Sequence, residues 1–395
     1  MVPDAFWERA RAAQRFGIDT EFVGEGRYRT LLCLLQVVVE DEEGLDVIVL
    51  DALDEQTDLQ PLAQLLADPQ IEVVVHAGRQ DIALLRRCAL TEVTRIFDTQ
   101  IAAGFAGLSA QAGYETLLRE VLGVRVQKTA SYTRWDRRPL DAEQLAYARE
   151  DVLHLLDLAA ELARRLADGE RLGWALEECR YLEGVSDVRA IDVVFSRLPR
   201  VNSLSPPARA IAHELVLWRE QLAERQDRPV STVLNDPALV ELAKRAPQTP
   251  EQLDQVRGVN PGSLRRRGSD LLEAISRGAT REPIPVEAER RDPSSPLDGP
   301  QIALAEAFVR ARALEAGLAY ELIAARADLA AIVCTRSGRR EPDVRTLTGW
   351  RRELVGQELL ALLRGERTIA VAGDGRLSIT SQAANGSAGK AENQS

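Results

Sequence analysis

The chain has 395 residues, 45% hydrophobic and 28% charged, enough apolar content to bury two or three separate cores. Its net charge of −11 counts against a broad basic surface for nucleic acid, though not against a narrow channel for a strand end. Met1 to Phe16 carries charge throughout without a signal-peptide core, and no apolar run reaches spanning length, so a cytoplasmic protein without a membrane partner is expected. Cys33, Cys88, Cys179 and Cys334 lie far apart and form no Cys-x-x-Cys pair, which favours reduced thiols over a disulfide or zinc site. His76, His154 and His213 show no ligand spacing.

In chain order, Asp19 and Glu21 fall two apart on a predicted strand, so both side chains leave one face of a sheet. Residues 30–39, 46–51 and 72–77 are dense in Val, Ile and Leu and predict further strands. Helices follow near 79–88, 98–107 and 113–122. Asp81 opens the first of them, just past the carboxyl end of a strand. Asp141 and Gln144 form a capping-box pattern that starts a long helix toward Leu166. Its apolar stripe holds Leu145, Ala148, Val152, Leu156 and Ala159. Tyr147 and Asp151 sit at one edge, one turn apart. This alternation predicts an α/β domain with a mixed sheet over residues 1–185.

A linker is expected at 186–204, and from Ser205 the pattern turns helical, giving one small domain at 205–280. Five prolines among charges make 281–300 a second linker. A second helical domain at 301–375 repeats the order of the first, and 376–395, small and polar, is expected to be disordered.

Asp19, Glu21, Asp81 and Asp151 each have a bland reading as strand ends, caps or helix surface. Their combination does not. Two carboxylates about 4 Å apart repel by roughly 4 kcal/mol at an effective dielectric near 20, so four in one pocket raise their pKa values or recruit cations. Hard oxygen ligands without cysteine favour Mg²⁺ or Mn²⁺. Two such ions roughly 3.5–4 Å apart can clamp the attacking water and leaving oxygen of a phosphodiester, with Tyr147 orienting the water. Basic clusters at Arg134, Arg137 and Arg138, and at Arg265, Arg266 and Arg267, are either solvated faces or contacts for nucleic acid.

The residues Ile18-Asp19-Thr20-Glu21-Phe22, Leu32 to Gln36, His76-Ala77-Gly78-Arg79-Gln80-Asp81 and Phe97-Asp98-Thr99-Gln100-Ile101-Ala102 occur in an order that resembles the ribonuclease D family. Gly113-Tyr114-Glu115-Thr116-Leu117, Lys128, Trp135 with Arg138-Pro139-Leu140, and Tyr147 four before Asp151 continue the match. That resemblance implies a ribonuclease H-like fold of the tyrosine-subclass DEDD exonucleases. It also implies Asp19, Glu21, Asp81 and Asp151 on two divalent ions, Tyr147 as catalytic partner, and 3′→5′ release of nucleoside 5′-monophosphates. Arg134 departs from the family, where an acidic residue is more usual before the tryptophan.

Leu215 to Ala223, Asp227-Arg228-Pro229, Val233 to Pro237, Gly258 and Leu271 to Gly278 resemble an HRDC domain, and Leu318 to Ala324 with Gly349 to Gly365 a diverged second one. Such modules imply RNA binding, unless the bundles only pack on the nuclease. The expectation is an exoribonuclease trimming tRNA precursors or other structured RNA. Alternatives are an exodeoxyribonuclease and a catalytically silent RNA-binding scaffold.

Overall fold

The computed structural model describes residues 3–126, 134–256, 258, 261–286, 295–335 and 340–381, with the backbone alone for 261–266. Lys128 and the side chains of Arg265 and Arg266 lie outside the described residues, as does the tail from residue 382.

Helix α1 (Asp4–Ala13) leads into β1 (Arg15–Val23), β2 (Leu31–Asp41) and β3 (Gly44–Asp51). Then follow α2 (Gln60–Ala67), β4 (Glu72–Val75), α3 (Arg79–Cys88), β5 (Ile96–Asp98) and α4 (Thr99–Phe105). The sheet order is β3-β2-β1-β4-β5, antiparallel between the first three strands and parallel between β1, β4 and β5. This is the mixed sheet expected.

Alternation along β1 sends Phe16, Ile18 and Phe22 into a core shared with α1, α2 and α3, where Phe6, Trp7, Leu62, Leu65 and Ile82 are buried. Gly17, Asp19 and Glu21 face the other side. β5 has only three residues, too few to stand out in the sequence, and β4 stops at Val75 rather than at residue 77.

On that second face lie α5 (Tyr114–Leu117), continued as a wider π-turn through Leu118–Leu122, then α6 (Ala142–Leu153), α7 (Leu155–Asp168) and α8 (Leu172–Glu183). The Asp141–Gln144 capping box forms as expected. The single helix expected up to Leu166 is instead two, broken at His154. Helix α6 packs on β1, β2 and β3, whereas α7 turns toward α4. Helical periodicity runs across the break, which hides it from the sequence. Gly17 permits the close approach at the joint: a Cβ there would lie 2.6 Å from Val38 and 3.1 Å from Leu155. Of the predicted stripe, Leu145 is exposed and the other four members are buried.

The expected linker at 186–204 is also corrected. It contains α9 (Ile191–Ser196) and a 3₁₀ turn at Val201–Ser203. Phe195, Leu198, Val201 and Leu204 enter the core of the first bundle, because four well-spaced apolar side chains gain more from burial than a free tether would. That bundle comprises α10 (Pro206–Gln226), α11 (Val230–Val233), α12 (Asp236–Arg245), α13 (Pro250–Asp254) and α14 (Pro261–Thr280).

The second bundle repeats this order with α15 (Asp298–Ala316), α16 (Tyr320–Ile323), α17 (Arg326–Cys334), a 3₁₀ turn, α18 (Gly349–Arg351), a π-turn and α19 (Gln357–Leu363). Helix α15 therefore begins inside the expected proline-rich linker, with Pro300 in its first turn where no amide donor is needed. Nor is this part all-α. Strands β6 (Arg367–Val371) and β7 (Leu377–Ser381) pair through a turn with Gly375 at φ +81°, so residues 377–381 are a strand and not disordered tail. Ile369 and Ile379 anchor the hairpin on the core.

That core is shared. Leu158, Leu162, Phe105, Phe308, Trp350 and Leu359 belong to one continuous apolar cluster, so the amino-terminal domain and the second bundle are fused where two separate units were expected.

Candidate active site

The site forms where β1 outruns its neighbour. β4 pairs with β1 only from Arg15 to Gly17, so Asp19 and Glu21 project beyond the end of β4. Helix α6 crosses the same face and brings Tyr147 and Asp151 down from above. Carboxylate oxygens of Asp19, Glu21 and Asp151 all lie within 4.8 Å of one another.

Asp81 arrives differently. It stands in the first turn of α3, on the opposite face of the sheet, and reaches the rim. There its carboxylate accepts a hydrogen bond from the Thr20 hydroxyl. The expectation of one four-carboxylate cluster is thus met by three residues, with Asp81 adjoining; its charge still raises the pKa of both Asp19 and Glu21.

Burial, then Asp81, Asp151 and Glu21, hold the Asp19 carboxyl well above the ordinary carboxylate range. Burial followed by Asp151 and Asp81 pushes Glu21 up to about 8. Asp151 rises to about 7, mainly through burial, against an opposing hydrogen bond from Tyr147. Asp81 rises to about 6, burial outweighing the Thr20 contact. The Tyr147 phenol is also raised, by burial and then by Asp151, Glu21 and Asp19, and so stays protonated at neutral pH. A cluster that either binds protons or bears mutual repulsion is chemically suited to a cation.

The surroundings hold these groups still. Asp98 caps α4 through the amides of Gln100 and Ile101 and also accepts from Ala77 and Gly78, tying down the turn that precedes Asp81. Trp135 is buried beside Tyr147, ring centroids 6.1 Å apart. Arg138 clamps that loop: it donates to both Asp51 oxygens and to the carbonyls of Trp135, Arg137 and Cys33. Its donors are engaged inside the fold, which gives it a part in holding the loop. Arg134 is solvent-facing and paired with Asp136 at 2.8 Å. Arg267, on α14, donates to Gln226 at 2.7 Å. Among the described residues, the side-chain partners of Arg134, Arg138 and Arg267 are thus groups other than the site carboxylates.

Sequence reasoning missed Thr20, Asp98, Tyr114 and Gln36 as parts of the site. The Asp98 cap had a signal, an Asp directly before a helical stretch. Thr20 had none, since only the arrival of α3 makes its hydroxyl useful. The Tyr114 phenol is raised by burial and, among other charges, by Asp151 and Asp19. Gln36 is fully buried on β2, directly opposite Asp19, and neither of its amide atoms has a hydrogen-bond partner among the described residues. Such a group costs about 1–3 kcal/mol.

A 3′-5′ exonuclease family model matches residues 3–167, and an HRDC-domain model matches residues 208–275. The chain is 36% identical to ribonuclease D of Granulibacter bethesdensis over 90% of its own length and 89% of that protein. It is 34% identical to ribonuclease D of Nitrobacter hamburgensis over 90% and 91%. The crystal structure of Escherichia coli RNase D, described as an exoribonuclease involved in structured RNA processing, superposes with a TM-score of 0.76 at 27% identity, covering 91% of this chain and 96% of that one. Sheet topology, the order of the motifs and these likenesses agree: the chain belongs to the ribonuclease D family.

Proposed function

We propose that this chain is a metal-dependent 3′→5′ exoribonuclease that releases nucleoside 5′-monophosphates from tRNA precursors or other structured RNA. The observation that carries this reading is the meeting of Asp19, Glu21 and Asp151 within 4.8 Å, beside Asp81 and the Tyr147 phenol. The donor set is all oxygen, which fits Mg²⁺ or Mn²⁺, and Asp19, Glu21, Asp81 and Asp151 would hold two such ions. When bound, the ions acidify water and neutralise charge at the phosphodiester.

The protein's own residues complete the chemistry. Tyr147, held by Asp151, fixes the attacking water by hydrogen bonding. The water oxygen bonds to the terminal phosphorus as the bond from phosphorus to the preceding 3′ oxygen breaks. That oxygen gains a proton, leaving a shortened RNA with a 3′ hydroxyl. The first bundle keeps the folded body of the RNA nearby and raises its effective concentration, with Arg134 and Arg267 as candidate backbone contacts. Among the described residues, no helix is long and apolar enough to cross a membrane, in keeping with a cytoplasmic reaction.

The test is incubation with a 3′-extended tRNA precursor and a matched DNA strand in Mg²⁺ or Mn²⁺. Stepwise RNA shortening, abolished by chelator, is expected. Asp151→Asn should reduce turnover by roughly 10²–10³-fold or more while preserving the circular-dichroism spectrum. Undiminished turnover by that variant, or equal trimming of DNA, would overturn the reading in its catalytic or its substrate part respectively.

A further inference from the structure

Gln36 is the most anomalous polar side chain near the site. It lies in the middle strand of the antiparallel half of the sheet, with Asp19 directly opposite on β1 and Val49 directly opposite on β3. Residues opposite each other across antiparallel strands share a face, with Cβ atoms about 4.5–5.5 Å apart. Gln36 therefore projects toward α6 together with the Asp19 carboxylate. Leu34 and Val38, which flank it on that face of β2, are buried in apolar clusters that include Ala148 and Val152 of α6 respectively. Both the amide nitrogen and oxygen are buried without a hydrogen-bond partner among the described residues.

Leu or Met would fill the same volume without this desolvation penalty, so packing alone gives no reason for an amide here. The adjacent carboxylate does. Asp19 accepts a hydrogen bond from the backbone of Thr20 but sits in a crowd of like charge. A carboxylate that binds a cation through one oxygen needs its other oxygen held, and neutral amide donors commonly serve that purpose.

We infer that Gln36 is a positioning residue for Asp19: its side-chain amide donates to the carboxylate and sets its orientation once a divalent cation is bound. This rests on the metal reading above. The amide adds a donor without adding charge, which a lysine or arginine at this position would not do. It also stays in place through the turnover, since the sheet holds β1 and β2 in fixed register.

The experiment measures Mn²⁺ binding calorimetrically, together with metal-free thermal midpoints, for Gln36→Leu, Gln36→Met and Asp19→Asn. Both Gln36 variants should match or exceed the parent in metal-free midpoint, because an unpartnered amide is gone. Their Mn²⁺ affinity should fall by about 10–100-fold, with kcat lowered and KM for RNA little changed. Affinity within about twofold of the parent overturns the inference, as does loss of the metal-free fold in both variants, which would make the amide a packing element. Asp19→Asn separates the two claims. If it loses the ion while the Gln36 variants keep it, only this inference fails; if it binds Mn²⁺ normally, the metal reading fails as well.

Discussion

The two helical bundles share an order of helices yet are attached to the nuclease by opposite kinds of chemistry. The first is held through Arg27, Tyr28 and Arg29, in the loop between β1 and β2. Arg27 pairs with Asp227 and Arg29 with Glu224, each at 2.5 Å, and the Tyr28 hydroxyl donates to Glu220 at 3.0 Å. The two ion pairs are partly exposed and contribute about 0–1 kcal/mol each, whereas Glu220 is buried and the Tyr28 ring rests against the edge of the bundle core.

The second bundle is held by its core. Trp350 stacks on Trp174 at 5.4 Å and meets Phe105 edge-on at 4.9 Å. Arg351, buried beneath it, pairs with Glu178 at 2.7 Å and donates to the Leu322 carbonyl. Gly349 is required at this seam: its φ is +49°, and a Cβ would overlap the Glu177 carboxylate. One repeated helical order is thus joined to the nuclease mainly through polar contacts of one loop in the first copy and through a shared apolar core in the second.

The sharpest way to break this comparison is Trp350→Ala. It should cost about 3–5 kcal/mol and lower the denaturation midpoint of nuclease and second bundle together, leaving the first bundle's transition in place. Separate melting of nuclease and second bundle in the parent protein would refute the shared core.

A pH series in chelator loads the nuclease alone. The folded pKa values of Glu21, Asp151 and Asp81, about 8, 7 and 6, lie above their ordinary unfolded values near 4. The unfolded chain therefore releases protons first. The stabilisation these groups give is complete below about pH 4 and is lost as pH rises to about 8. The metal-free thermal midpoint of the nuclease should fall across that window, carry the second bundle with it, and level out when Mn²⁺ is added. A midpoint that rises with pH in chelator would contradict the raised values.

The smallest effect belongs to the first bundle. Glu224→Ala should cost about 1 kcal/mol or less, and high salt should loosen the same contact by screening. Faster hydrogen exchange at residues 24–30, with Trp350 unchanged, is the expected signature.

Much of the site was legible because its residues obey local periodicities. Asp19 and Glu21 share a strand face, Tyr147 and Asp151 share a helix edge, and the Asp141 capping box marks where that edge begins. Asp81 was legible as a residue but not as a place, since its approach from the other face depends on where β4 ends. Arg138 was legible in a similarly partial way: its charge was visible, but the Asp51 that it pairs with is far away in sequence. The linker at 186–204 misled because its charges mask apolar residues that bury only when a bundle is present to receive them.

What the sequence determined by itself was most of the strands and helices around the site, the identity of the acidic groups and the repeated helical order, all functions of spacing within a single element. Only the tertiary structure decided that Asp81 stands at the rim, that Gln36 faces Asp19 without a partner among the described residues, and that one bundle shares the nuclease's apolar core while the other is joined mainly through polar contacts. Those outcomes depend on contacts between distant segments, whose strength is set by the burial and charge each finds in the other.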